Sequence, residues 1–182
     1  MILRQLPNLL CVLRIAMVVP VGWLIVEGRY LPAMIVFFVA GFTDLLDGFL
    51  SRTFGWKTRL GGILDPIADK LLVATAFITL TLAGFVPVWL LVVVLARDLV
   101  IIGGSLAYQA FVAPFEAAPY GISKITTLLQ LGDLLLAMSA AALGVPDQRI
   151  LGPLAALVAV AAVMSGIFYV VIGVRLARRS RA

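Results

Sequence analysis

Asp44, Asp47, Asp65 and Asp69 fall within 26 residues of a chain that is otherwise mostly Leu, Val, Ile and Ala. The first two are three residues apart and the last two four apart, spacings that put each pair on one face of a helix. Two antiparallel neighbouring helices joined by a short loop would bring all four carboxylates to one cavity. Anions that close in a low dielectric require compensating cations, or some must take up protons. Hard oxygen ligands with no His or Cys beside them point to Mg²⁺, Mn²⁺ or Ca²⁺ rather than zinc or copper, and two such ions sharing a bridging carboxylate would offset most of the charge.

The residues between the pairs suit a phosphate-bearing ligand. Gly48 follows Asp47 directly and Gly61 precedes Asp65 by four, so each pair has a neighbouring position without a side chain where a nucleotide or a backbone can approach closely. Arg52, with Lys57 and Arg59 nearby, offers planar and point-charge partners to a diphosphate, and Lys70 beside Asp69 is a further phosphate partner. Helix capping is the plainer account, and it fits Asp65 before Pro66. It does not fit Asp44, Asp47 and Asp69 inside apolar helical runs, where an ionisable residue defaults to a functional role.

The elements that must position these residues are apolar helices. Of 182 residues, 63% are hydrophobic and 13% charged, and the mean hydropathy is +1.16, outside the range of soluble domains. Apolar runs bounded by Gly, Pro or charge predict six spans, at 9–26, 31–50, 62–82, 87–112, 122–143 and 150–175. The runs lack strand alternation, and lipid leaves no backbone polar group a partner outside the segment, so the spans are expected to be helices. The fold class is therefore an all-α integral membrane protein with six transmembrane helices and a polar cavity at one end, built as a single domain over residues 1–182.

Lys and Arg set the sidedness. Arg4, Arg52, Lys57, Arg59, Lys124 and the tail arginines 175, 178, 179 and 181 fall on one side, Arg29 and Arg149 on the other. The positive-inside rule then puts both termini and the 51–61 loop in the cytoplasm, with the aspartates at the cytoplasmic end of their helices. The net charge of +5 comes from scattered cations and a basic tail that meets anionic lipid, not from a nucleic-acid-binding stripe. The start, MILRQLPNLLCVLRIAMVV, has no small-residue cleavage pattern and reads as a retained segment.

The chain has no histidine and a single cysteine, Cys11. That removes Ser-His triads, His-ligated metals, an internal disulfide and thiolate clusters. A rival from another class is a divalent-cation channel or carrier, but a transport path places its acids near the midplane and often in repeat-related pairs. Here they lie at one end, with glycines and a basic loop.

Asp44-x-x-Asp47-Gly48-x-x-Ser51-Arg52, eight residues, then Gly61-x-x-x-Asp65-x-x-x-Asp69 resembles the signature of the CDP-alcohol phosphotransferases, integral membrane enzymes of phospholipid synthesis. The family normally has Ala where this chain has Ser51. The resemblance implies that Asp44, Asp47, Asp65 and Asp69 hold one or two divalent cations, Mg²⁺ or Mn²⁺, with Asp69 also the general base. It implies a CDP site formed by Asp44, Gly48, Ser51, Arg52, Gly61 and Asp65, a homodimer, and attack of an acceptor hydroxyl on the lipid-bearing phosphorus with CMP leaving. The cytoplasmic membrane of a bacterium is the expected location.

Family members differ in acceptor. LPNLLCVLRIAMVVPVGWLI resembles both the phosphatidylglycerophosphate synthases and the eukaryotic-type cardiolipin synthases, while segments 95–111 and 120–136 resemble the latter. CDP-diacylglycerol with phosphatidylglycerol is the expected substrate pair, and glycerol 3-phosphate the alternative acceptor. Lys124, Arg97 and Lys70 are candidates for the acceptor phosphate, although an Arg97 to Asp133 pair would satisfy two membrane charges without a ligand. Trp23, Trp56, Trp89 and Tyr30 suit aromatic belts at span ends. Gly103-Gly104-Ser105 and the Ala-rich 155–166 stretch suit close helix packing, and Arg4 and Arg14 an interfacial or snorkelling start.

Overall fold

The computed structural model describes the backbone of residues 6–53, 61–111 and 121–179, and the side chains of 12–43, 68–104, 121–147 and 149–175. Six helices occupy this range, and among the described residues there is no strand. They are α1 (Leu6–Val26), α2 (Tyr30–Thr53), α3 (Gly61–Leu82), α4 (Val88–Phe111), α5 (Gly121–Leu143) and α6 (Gln148–Arg179). Each matches one apolar run to within a few residues. The largest departure is α6, which continues past position 175 because Arg, Leu and Ala in the tail are strong helix formers.

Helix ends follow local chemistry. After α1, Gly28 (φ 74°) donates its N–H to Ile25 O at 3.0 Å and Arg29 donates to Leu24 O at 2.8 Å. After α3, Gly84 (φ 83°) donates to Thr81 O and Phe85 to Leu80 O, both at 3.0 Å. This paired pattern satisfies the last carbonyls and needs a left-handed residue, which glycine adopts without penalty. Hydroxyls inside the helices turn back onto their own carbonyls: Thr43 to Ala40 O at 2.7 Å, Thr79 to Thr75 O at 2.7 Å and Thr81 to Phe77 O at 2.7 Å. That is how a hydroxyl is satisfied where water is scarce.

Two helices are long and apolar enough to cross a membrane among the described residues, Gly121–Leu143 and Arg149–Arg175. Val12–Val26 and Tyr30–Thr43 are shorter apolar helices. Apolar side chains fill the core and also cover the surface, unlike those of a water-soluble bundle. Val19, Val26, Leu82, Leu99, Leu128 and Ile167 are exposed, whereas Arg14, Arg97, Asp98, Gln130 and Asp133 are buried. Apolar side chains outside and polar ones inside is the pattern of helices bathed in lipid, and the chain is a membrane-type, all-helical protein. Arg14, expected to snorkel, is fully buried on α1.

The chain divides into two compact units, Met1–Val86 with Leu134–Asp147, and Pro87–Asp133 with Gln148–Ala182. In the first, α1 packs against both α2 and α3, over a core that includes Val21, Ile25, Phe37, Leu72 and Phe77. Gly22 allows the approach, since a Cβ there would sit 2.9 Å from Thr75 Cγ2. Gly22→Val is therefore expected to wedge α1 off α3 and destabilise the protein by about 1–3 kcal/mol. Thermal unfolding in detergent would show it, and an unchanged midpoint would contradict it.

In the second unit, α4 packs on α6. Ala155 and Ala162 are buried there, as their small size suggests. Among the described residues Gly103 and Gly104 are not at a close contact: both are exposed and a Cβ on either would meet none of those residues within 4 Å. Trp23 and Trp89 are 58% and 49% exposed, at the end of α1 and the start of α4, as belt residues should be. Tyr30 packs edge-on against Phe85 at 5.1 Å. Trp56 lies outside the described residues.

Candidate functional site

The helical backbone of α2 is continuous through positions 44, 47, 48, 51 and 52, and that of α3 through 61, 65 and 69. The aspartate pairs thus sit on the last turns of one helix and the first turns of the next, at intervals of three and four residues. α3 begins at Gly61, four residues before Asp65, so Asp65 occupies a helical position and not a cap. The side chains of Asp44, Asp47, Gly48, Ser51, Arg52, Gly61 and Asp65 lie outside the described residues, as do Lys57 and Arg59 altogether. Among the described residues no three His, Cys, Asp or Glu side chains gather. Asp69 is the member of the quartet whose side chain is described. It is half-buried, as is Lys70, and both engage in polar interactions.

α1 is what the two aspartate-bearing helices share, because both pack against it. Its close fit at Gly22 to Thr75, and the burial of Ala68 next to Asp69, hold α3 by its small residues. As a donor set, four carboxylates on two helices, in a chain with no imidazole and a single thiol at Cys11, fit a hard divalent cation.

The second unit carries a polar cluster that the sequence reading only partly anticipated. Arg97 is buried, and its Nη1 donates to Asp98 Oδ1 at 2.7 Å while Nη2 donates to Ser123 Oγ at 2.7 Å and Ser165 Oγ at 3.1 Å. The pair with Asp133 is replaced by one with the adjacent Asp98. Ser123 on α5 and Ser165 on α6 fix the guanidinium plane, and that orientation turns Nη1 onto its own neighbour. The arrangement ties α4, α5 and α6 together around one neutralised charge. Among the described residues Arg97 Nε has no partner.

A groove of about 400 Å³ runs between α4 and α6, lined by Val93, Val100, Val163, Ile167 and Val170 with Arg97 at its side. Its walls are aliphatic, so Arg97 contributes its methylene stem there, which packs beside Gly166 at 3.8 Å from that residue's Cβ position. Lys124 is exposed, near the start of α5.

Sequence reasoning did not single out Ser123, Thr126, Gln130 or Ser165. Their signal was present on α5, where polar residues recur at 123, 126, 130 and 133 in a helical rhythm inside an apolar segment. Thr126 donates to Ile122 O at 2.9 Å and lies 3.3 Å from Ala161 O of α6.

The sequence profile of the CDP-alcohol phosphatidyltransferases matches residues 4–177. Rat cardiolipin synthase (CMP-forming) is 38% identical over 153 residues, covering 75% of this chain and 50% of the rat protein. The rice chloroplastic CDP-diacylglycerol–glycerol-3-phosphate 3-phosphatidyltransferase 1 is 38% identical over 106 residues, 58% of this chain and 32% of the rice protein. The Bacillus subtilis CDP-diacylglycerol–glycerol-3-phosphate 3-phosphatidyltransferase is 33% identical over 114 residues, 54% of this chain and 59% of its own length. This chain spans about half the length of the first of these relatives.

Proposed function

The chain belongs to the CDP-alcohol phosphatidyltransferase family, and from that premise we propose that it transfers a phosphatidyl group from CDP-diacylglycerol to a hydroxyl of phosphatidylglycerol, giving cardiolipin and CMP. The observation that carries the reading is the Asp44 to Asp69 constellation on the end of one helix and the start of the next, inside a profile match that covers nearly the whole chain. Family membership also disposes of the cation-channel alternative. Glycerol 3-phosphate remains the second acceptor, since the rat and rice relatives are equally identical to this chain. Coverage favours phosphatidylglycerol: the rat cardiolipin synthase aligns to 75% of the chain and the rice enzyme to 58%.

In this reading residues 1–182 work as one domain, with six helices crossing the membrane and the site at its cytoplasmic end. Asp44, Asp47, Asp65 and Asp69 hold the cation. When bound, Mg²⁺ or Mn²⁺ supplies Lewis-acid stabilisation of the diphosphate and of the charge that develops on CMP. Arg52 pairs with the diphosphate oxygens, and Gly48 and Gly61 leave room for the nucleotide beside Asp44 and Asp65. Ser51 adds a hydroxyl where the family normally has a methyl group. Asp69 takes the proton from the acceptor hydroxyl as the new P–O bond forms and the bond to CMP breaks, leaving the electron pair on CMP.

Lys124, exposed near the start of α5, Lys70, beside Asp69, and Arg97, whose Nε has no partner among the described residues, are each candidates to attract the acceptor phosphate. Reaction at the membrane surface lets acyl chains stay in lipid while the polar groups meet the cytoplasm. A bacterial cytoplasmic membrane and a homodimer complete the proposal.

The deciding experiment gives purified protein CDP-diacylglycerol and Mg²⁺ or Mn²⁺, with phosphatidylglycerol or glycerol 3-phosphate in parallel, and follows CMP release and lipid product. Cardiolipin is expected with phosphatidylglycerol. Product with glycerol 3-phosphate alone would move the assignment to the second acceptor, and no CMP release with either would reject the activity.

A further inference from the structure

Within the first unit the core-facing stripes of three helices all run into charge. On α1 the buried positions Ile25 and Val21 are followed, seven residues further down, by Arg14. On α2 the buried positions Ala33, Phe37 and Ala40 are followed at the same spacing of four and three by Asp44 and Asp47. On α3 Leu80, Ala76 and Val73 run down to Asp69 and Asp65. Spacings of three, four and seven keep to one helix face. One cation and four acids therefore occupy the same end of stripes that are apolar at the other.

Two registers set their depth. Arg14 lies 12 residues before the end of α1 and Asp44 14 residues after the start of α2, with only 27–29 between the helices, so the two positions are level to about 3 Å. Residues 54–60 alone separate α2 from α3, so α3 starts where α2 stops and runs parallel to α1, where Gly22 meets Thr75 and Thr79. Arg14 is eight residues before Gly22, and Asp69 is six before Thr75 and ten before Thr79. Arg14 and Asp69 are thus level as well, again to about 3 Å.

Arg14 is the one buried charge among the described residues of this unit, and it is 0% exposed. A guanidinium keeps its proton in any surroundings, so it cannot escape the cost of burial by becoming neutral. It needs an anion at its own depth. The other acids of the unit, Glu27 and Asp147, are exposed beyond the C-terminal ends of α1 and α5, and Glu27 is about 20 Å from Arg14 along the helix axis. Arg14 and Asp69 are both engaged with their surroundings. Wholly covered, Arg14 acts through the carboxylates and not on a substrate. We infer that Arg14 is a positioning residue: its buried guanidinium is a built-in counter-charge behind Asp44, Asp47, Asp65 and Asp69, holding the carboxylates together before the cation arrives. The inference rests on the metal-holding role proposed above for those aspartates.

A fixed positive charge and a divalent ion that serve the same carboxylates repel each other, which gives the role a signature. Removing the arginine makes the ion bind more tightly, whereas removing a residue that only packs the core loosens the helices and weakens binding.

The test strips full-length protein of metal in detergent and titrates it with Mn²⁺ by calorimetry. Arg14→Met is expected to bind Mn²⁺ about tenfold more tightly than wild type, through loss of a like charge one helix spacing away. Arg14→Lys keeps the charge and is expected to stay within about threefold of wild type. In EDTA the Met variant should unfold at a lower temperature than wild type, because its carboxylates have lost their counter-charge, and saturating Mn²⁺ should close most of that gap. Equal or weaker Mn²⁺ binding by Arg14→Met, or a Lys variant that departs from wild type as far as the Met variant does, would overturn the proposal while leaving the cation site standing. Should Arg14→Met not accumulate, the double variant Arg14→Met/Asp69→Asn removes one charge of each sign and is expected to accumulate and to bind Mn²⁺ more tightly than Asp69→Asn alone. Its failure to accumulate, or binding no tighter than that of Asp69→Asn, would equally overturn the proposal. A wild type that binds no Mn²⁺ would reject the cation site itself, and this proposal with it.

Discussion

Asp69→Asn is expected to lower kcat for CMP release by about a thousandfold, within the range that general-base removal produces in other enzymes. The change keeps the size and shape of the side chain and removes its ability to take a proton, together with its negative charge and one of its two carboxylate oxygens. Asp69 is half-buried in the third turn of α3, next to the fully buried Ala68, so the helix has no reason to move when one oxygen becomes an amide nitrogen. Thermal unfolding of the variant should match the wild type, which separates a chemical loss from a folding one. Turnover within tenfold of wild type would remove Asp69 from the role of base and leave it, at most, a metal ligand.

Chelation of divalent cations should abolish CMP release, and Mg²⁺ or Mn²⁺ should restore it while Zn²⁺ does so poorly. The reasoning starts from ligand chemistry. A chain with no histidine and one cysteine can assemble only oxygen donors around Asp44, Asp47, Asp65 and Asp69, and hard octahedral ions match them best. Without the ion, converging carboxylates and a substrate diphosphate repel one another, so loss should appear in substrate binding as well as in turnover. A direct readout is calorimetric titration of Mn²⁺ into wild type and into Asp44→Ala, which should bind it more weakly. Undiminished turnover in excess EDTA would overturn the metal assignment.

Much of the fold could be read along the chain. Helix positions follow from apolar runs interrupted by Gly28, Gly84 and Gly144, and these glycines do adopt positive φ. The rhythm of Asp44, Asp47, Asp65 and Asp69 and their glycines was legible because a motif written on two adjacent helix ends is local in sequence, and the family match spans it. Less legible was anything that depends on which way a helix is rotated. The Gly103-Gly104 pair looks like a packing motif but meets no close neighbour among the described residues, whereas the isolated Gly22 is where two helices meet. Arg14 has the surroundings of a snorkelling residue and is instead fully buried.

The sequence by itself determined the helices, their apolar surfaces, and the carboxylate and glycine pattern that places the chain among the CDP-alcohol phosphatidyltransferases. All of these depend on residue type and on spacings of a few positions, which the backbone's own hydrogen bonding turns into a face. Only the tertiary structure decided that Arg97 closes on Asp98, Ser123 and Ser165 and not on Asp133, and that Gln130 is buried with its amide unpaired among the described residues. Polar partners across helices depend on rotation and approach distance, which are set by packing along whole helices and leave no short-range mark in the chain.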